Sequence, residues 1–107
     1  MIQVASLNSG SNGNCYYIGN EQDAVLIDAG ISCREVTRRM ERLGLPVERI
    51  RAVFLSHEHS DHTRGVEVLS RKYRIPVWMT EHTWLNSRLW LDKPLLQLFS
   101  PETPVTI

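Results

Sequence analysis

Two short apolar runs, Ala24-Val25-Leu26-Ile27 and Ile50 to Leu55 (IRAVFL), constrain this chain most. Both have strand length, and the first is unbroken, so each reads as a strand buried on both faces. A helix is predicted between them. Ser32-Cys33-Arg34-Glu35 has the S-x-x-E form of a capping box. Val36, Met40 and Leu43 follow at i, i+4 and i+7 as one apolar stripe, and Gly44 with Pro46 ends the element. Arg34, Arg38 and Arg42 form a separate basic row, and Glu35 is spaced to pair with Arg39 one turn on.

The flanking sequence extends this pattern. Ile2 to Leu7 alternates apolar and polar, as a half-buried strand does. Residues 8–14 (NSGSNGN) are a dense turn signal, and Cys15 to Ile18 is a second strand broken by Gly19-Asn20. Downstream, Gly65 to Tyr73 reads as a helix with Val66, Leu69 and Tyr73 on one side. Pro76 to Met79 reads as a strand, and Glu81 to Leu91 as a third helix carrying Trp84 and Trp90. Strands alternating with helices argue for the α/β class. The opening strands, joined by a tight turn, make the sheet mixed, with flanking helices. The chain stops at SPETPVTI, where Val105-Thr106-Ile107 reads as the start of a strand. The expectation is a single domain over residues 1–107, truncated on its C-terminal side.

Composition excludes several classes. With 107 residues, 42% apolar and 22% charged, the chain reads as an ordinary globular domain. A formal net charge of zero gives no global attraction to nucleic acid or anionic membrane. The positive charge is ten Arg against two Lys. Guanidinium forks match phosphate oxygens, although solvated helix faces are the more ordinary account of them. Cys15 and Cys33 form no CxxC pair, which argues against a disulfide framework and for a reducing cytoplasm. The N-terminus lacks a basic n-region, and no apolar run approaches the roughly 20 residues of a membrane span.

The chemistry concentrates in SHEHSDHTRG, Ser56 to Gly65. Three of the four histidines, His57, His59 and His62, fall within six residues, with Asp61 among them. Residues i and i+2 of an extended chain point the same way, so His57 and His59 can grip one ion. Asp61 and His62 follow a change of direction and can face a neighbouring position. Neutral imidazole and carboxylate suit Zn²⁺, and also Mn²⁺ or Fe²⁺. A helical H-E-x-x-H motif is excluded, because position 61 is Asp61. A polar loop with incidental histidines is the competing reading. Composition and placement at the C-terminal end of a strand, where α/β sheets build their sites, weigh against it. His82, at the start of a predicted helix, reads as structural or surface.

His57-Glu58-His59-Ser60-Asp61-His62 resembles the HxHxDH signature of the metallo-β-lactamase fold superfamily. Leu26 to Gly30 (LIDAG) is similar to that superfamily's first motif, a hydrophobic strand ending in Asp, about thirty residues upstream. Ser6 to Gly19 (SLNSGSNGNCYYIG) resembles the opening of the WalJ/YycJ-like branch. The ISCREVTRRMERLG and SHEHSDHTRGVEVLSRKYRIPVW stretches resemble that branch too. The resemblance covers essentially the whole chain, but only the N-terminal part of an αββα sandwich.

The resemblance implies two divalent metal ions, most readily zinc, with His57 and His59 on the first and Asp61 and His62 on the second. It implies that Asp61 also orients the attacking water, and that Asp28 steadies the loop by hydrogen bonds. It further implies phosphodiester hydrolysis of nuclease type by a metal-activated hydroxide, with DNA or a nucleotide as substrate. The family's later His, Asp and His ligands have no counterpart here, so the 107 residues alone are expected to bind metal weakly and not to turn over. Other readings are a metal-binding or interaction module without catalysis, a site completed by a second copy, and hydrolysis of another ester or thioester. The segment from Gly10 to Asn14 could present backbone N–H groups to a phosphate or serve only as a turn. An uncovered sheet face or edge is expected to favour association.

Overall fold

The computed structural model describes residues 1–107. Six strands form one sheet in sequence order: β1 (Gln3–Asn8), β2 (Cys15–Gly19), β3 (Ala24–Ile27), β4 (Ile50–Phe54), β5 (Val77–Met79) and β6 (Leu96–Leu98). The first three are antiparallel neighbours, and β3 through β6 are parallel. The sheet is mixed and the class α/β, as the element order predicts.

Helix α1 (Cys33–Arg42) links β3 to β4, and α2 (Ser60–Thr63) and α3 (Val66–Tyr73) link β4 to β5. Helix α4 (Glu81–Asn86) lies between β5 and β6. Right-handed crossovers that all step the same way along the sheet put every helix on one face. That face holds the core. Tyr17, Leu26, Val53 and Val77 occupy one cross-strand row and are fully buried, with Val36, Met40, Val66 and Leu69 packed over them. No helix is long and apolar enough to cross a membrane.

The opposite face corrects the reading of β3 and β4 as strands buried on both sides. Ile27 and Phe54 are only half-buried and Arg51 is exposed. Val4 and Ile18 are exposed on the same face. Phe54 stacks on Trp78 at 5.9 Å between ring centroids, and Phe99 meets Phe54 edge-on at 6.0 Å. One layer of helices cannot cover two faces.

Four local expectations also change. The capping box at α1 is half formed: Ser32 Oγ accepts from the Glu35 N–H at 3.2 Å. The Glu35 carboxylate turns away to Arg38 (3.3 Å) and Arg39 (3.4 Å) instead. Leu43 leaves the apolar stripe and is 54% exposed, because it sits at the C-cap, where the chain turns. Helix α4 stops at Asn86. Ser87 adopts an extended backbone, and its hydroxyl donates to the Trp84 carbonyl at 2.9 Å. This is the local competition by which serine ends helices. Trp90 therefore lies outside the helix and is exposed. Finally, the last strand is Leu96–Leu98, and Val105 to Ile107 form none. Pro101 and Pro104 remove two donors from that tail, which disfavours a ladder there.

Candidate metal centre

The site is built where β3 and β4 end side by side. Asp28 follows β3 with φ of +66°, the left-handed region that aspartate tolerates better than bulkier residues. Its N–H donates to the Phe54 carbonyl at 2.7 Å, so the β3–β4 ladder continues through it. The side chain is buried and fully engaged. Oδ1 accepts from the Ser56 N–H at 2.7 Å, and Oδ2 accepts from the Ser56 hydroxyl at 2.6 Å. Oδ2 also lies 2.7 Å from Nδ1 of His62.

These contacts set the histidine tautomers. A carboxylate offers only lone pairs, so Nδ1 of His62 carries the hydrogen and Nε2 is left as the acceptor. Ser56 gives its one hydroxyl hydrogen to Asp28, so its oxygen accepts from Nδ1 of His57 at 2.9 Å. His57 too is left with Nε2 free. One buried carboxylate thus orients two imidazoles, His62 directly and His57 through Ser56. Histidine ligands are commonly held this way through the nitrogen that does not bind metal.

The donors themselves meet in part. His62 Nε2 lies 3.5 Å from Asp61 Oδ2. Two donors each about 2.0–2.2 Å from a tetrahedral Zn²⁺ stand roughly 3.3–3.6 Å apart, so this pair fits one ion. His57 and His59 face the same way with rings 24° from parallel, but their centroids are 6.4 Å apart. The His57 ring is nearer to that of His62, at 4.7 Å. His59 is exposed, with Glu58 Oε2 at 3.8 Å from its Nε2. No three His, Cys, Asp or Glu side chains converge so as to hold one ion. Among these donors Asp61 and His62 stand at the spacing that one divalent ion requires.

Two loops clamp the ligand segment. Helix α2 is a single turn, and the Asp61 carbonyl at its start accepts from the Asn14 N–H at 2.7 Å. The His62 carbonyl accepts from the Ala29 N–H at 2.8 Å, and the Gly65 N–H donates to the Ala29 carbonyl at 2.8 Å. Glycine is required at these crossings. A Cβ on Gly30 would lie 1.8 Å from the Asp61 carbonyl oxygen, and one on Gly65 2.0 Å from that of Ile31. The turn of residues 8–14 therefore does more than reverse the chain: its Asn14 fixes Asp61. Sequence reasoning missed the parts played by Ser56, Asn14, Gly30 and Gly65. The glycine directly after the strand-ending Asp28-Ala29 was the available signal.

His82 lies apart, lining a separate cavity with Thr80, Glu81 and Leu98. Cys15 is near Asp28 but unsuited to ligation. Burial, then the Asp28 carboxylate, push its thiol up to about 12, with Arg39 opposing. It remains a protonated thiol at neutral pH.

The description "Metallo-beta-lactamase superfamily" matches residues 8–105. The chain belongs to this superfamily. It is 40% identical over 83 residues to a protein named exodeoxyribonuclease YycJ from Bacillus anthracis, covering 78% of this chain and 31% of that protein. The same identity and coverage hold for exodeoxyribonuclease WalJ of Streptococcus pneumoniae serotype 2. In fold the chain is similar to BJP-1, a subclass B3 metallo-beta-lactamase of Bradyrhizobium japonicum, with TM-score 0.78 at 17% identity. That likeness covers all of this chain and 46% of the lactamase. The chain thus spans about a third of the length of the curated relatives it matches.

Proposed function

We propose that this chain carries the first half of a two-metal phosphodiesterase site, and that the protein it serves cleaves DNA. In this reading His57 and His59 bind one divalent ion and Asp61 and His62 a second, zinc being the ion best matched to the donors. The observation that carries it is the buried Asp28, which leaves Nε2 of both His57 and His62 free, that of His62 at 3.5 Å from Asp61. The nuclease relatives at 40% identity favour a phosphodiester over other substrates of the superfamily. Bound divalent ions would supply water activation and neutralise charge building on the attacked phosphoryl group. The chain's own part is to orient two imidazoles, place the Asp61 carboxylate, and hold the loop against the pull of the substrate.

A catalytic zinc usually takes three protein ligands plus water, and each ion here receives two. The remaining ligands come from outside these 107 residues. The test is elemental analysis of purified protein against His59→Ala and Asp61→Ala. Each variant should lose much of the bound metal, and unchanged metal content in both would sink the assignment.

A further inference from the structure

The cleft between α1 and the β1 edge combines a surplus of cations with a hydrogen-bonded link to the ligand loop. It has a volume of about 390 Å³ and is lined by Ser6, Glu35, Arg38, Arg39, Arg42 and Leu43, among others. Three guanidiniums face one carboxylate, a local surplus of two positive charges (3 − 1) in a chain whose net charge is zero. We infer that this cleft binds backbone phosphates of a single DNA strand on its way to the histidine loop. The inference rests on the phosphodiester reading above and extends it to how the strand is held.

The three arginines are not equivalent. Arg39 is committed to the fold, donating to the Leu7 carbonyl at 2.8 Å and to Asn8 Oδ1 at 2.6 Å. It forms the floor of the cleft. Arg38 has a side chain 63% exposed and only the shared Glu35 as partner. Arg42 is exposed and takes part in no ion pair. Arg34, Arg38 and Arg42 also repeat at i, i+4 and i+8, a like-charge spacing that is unfavourable on a helix. A bound polyanion removes that repulsion. Guanidinium forks match phosphate oxygens two at a time, whereas an acidic peptide offers carboxylates at irregular spacing. The exposed Leu43 adds apolar surface suited to a sugar face.

Position supports the assignment. Asn8, gripped by Arg39, donates through Nδ2 to the Gly13 carbonyl at 2.7 Å. The next residue, Asn14, holds the Asp61 carbonyl. Cleft and ligand loop are therefore one braced unit. At 1.5 Å per residue, Arg39 lies roughly 9 Å along α1 from its start at Cys33, which adjoins the site.

The test is anisotropy of a labelled oligothymidylate of about a dozen nucleotides with the full chain, in chelator so that no hydrolysis occurs. R38A/R42A should weaken binding about tenfold near 0.1 M salt and reduce the slope of log Kd against log salt by about 1.4. Glu35→Gln should tighten binding about twofold, and Arg88→Ala, remote from the cleft, should change nothing. Circular dichroism checks the fold, and Glu35→Gln keeps the test decisive if the double variant unfolds. Three results would overturn the inference: no oligonucleotide binding by wild type, equal affinity and slope in R38A/R42A, or competition by polyglutamate as strong per charge as by DNA. Metal analysis of His59→Ala reports on the phosphodiester site separately, so either idea can fail without the other.

Discussion

Asp28 concentrates more of the site's organisation than any other residue. Its left-handed backbone aims a buried carboxylate at Ser56 and His62, and such strain persists only where surroundings over-determine it. Asp28→Asn keeps the shape but adds a donor amide where only acceptors are wanted. Metal affinity should fall about 10- to 100-fold, read by competition with a chromogenic chelator. Ser56→Ala should leave His62 held and release His57, giving a smaller loss in the same measurement. Cys15 provides a separate handle. Its folded-state pKa lies above the ordinary thiol value, so the contribution is full below about pH 9 and is lost as pH rises toward about 12. Stability should decline by up to about 1.4 kcal/mol per pH unit across that window. Cys15→Ala should flatten the decline, measured by urea unfolding at several pH values.

At the scale of elements, the loops matter more than the helices. Ser32 caps α1 through its hydroxyl alone, and Ser32→Ala should cost about 1 kcal/mol in thermal unfolding. Gly30→Ala should cost more, because its methyl would meet backbone rather than a side chain that can swing away. It should lower the melting temperature and, by displacing Asp61, the bound metal as well. Most elements were legible in the chain. The β3–α1–β4 unit follows from two apolar runs and a capped helix, and the histidine loop follows from its position after β4. The end of α4 at Asn86 and the strand Leu96–Leu98 were not. Leu96–Leu98 lies at the sheet edge and is only half-buried, so it lacks the buried apolar run that marks Val77–Met79, and the tryptophan at position 90 resembles helix core until Ser87 ends the helix.

For the whole molecule, sequential strand order and right-handed crossovers place all helices on one face. The other face is left with Val4, Ile18, Phe54 and Trp78 to be partly covered by the chain's own C-terminal stretch. The same incompleteness appears at the proposed metal site, where no three candidate donors converge. Incubated with zinc or manganese, the 107-residue chain should bind metal weakly and leave single-stranded DNA uncut on a denaturing gel. Cleavage by this chain alone would refute the half-site reading.

What the residues determine by themselves is local: strand and helix periodicity, the cap at Ser32, and a loop with three histidines and an aspartate. Those features depend on neighbours a few positions apart, and they single out the candidate donors of the proposed site without the fold. Which groups then meet is another matter. Asp28 reaches Ser56 and His62 across 28 and 34 residues, and Asn14 reaches Asp61 across 47. Those contacts exist because parallel pairing of β3 and β4 brings two strand ends together beneath a third loop. Only that packing decides which nitrogen of His57 and of His62 is left free.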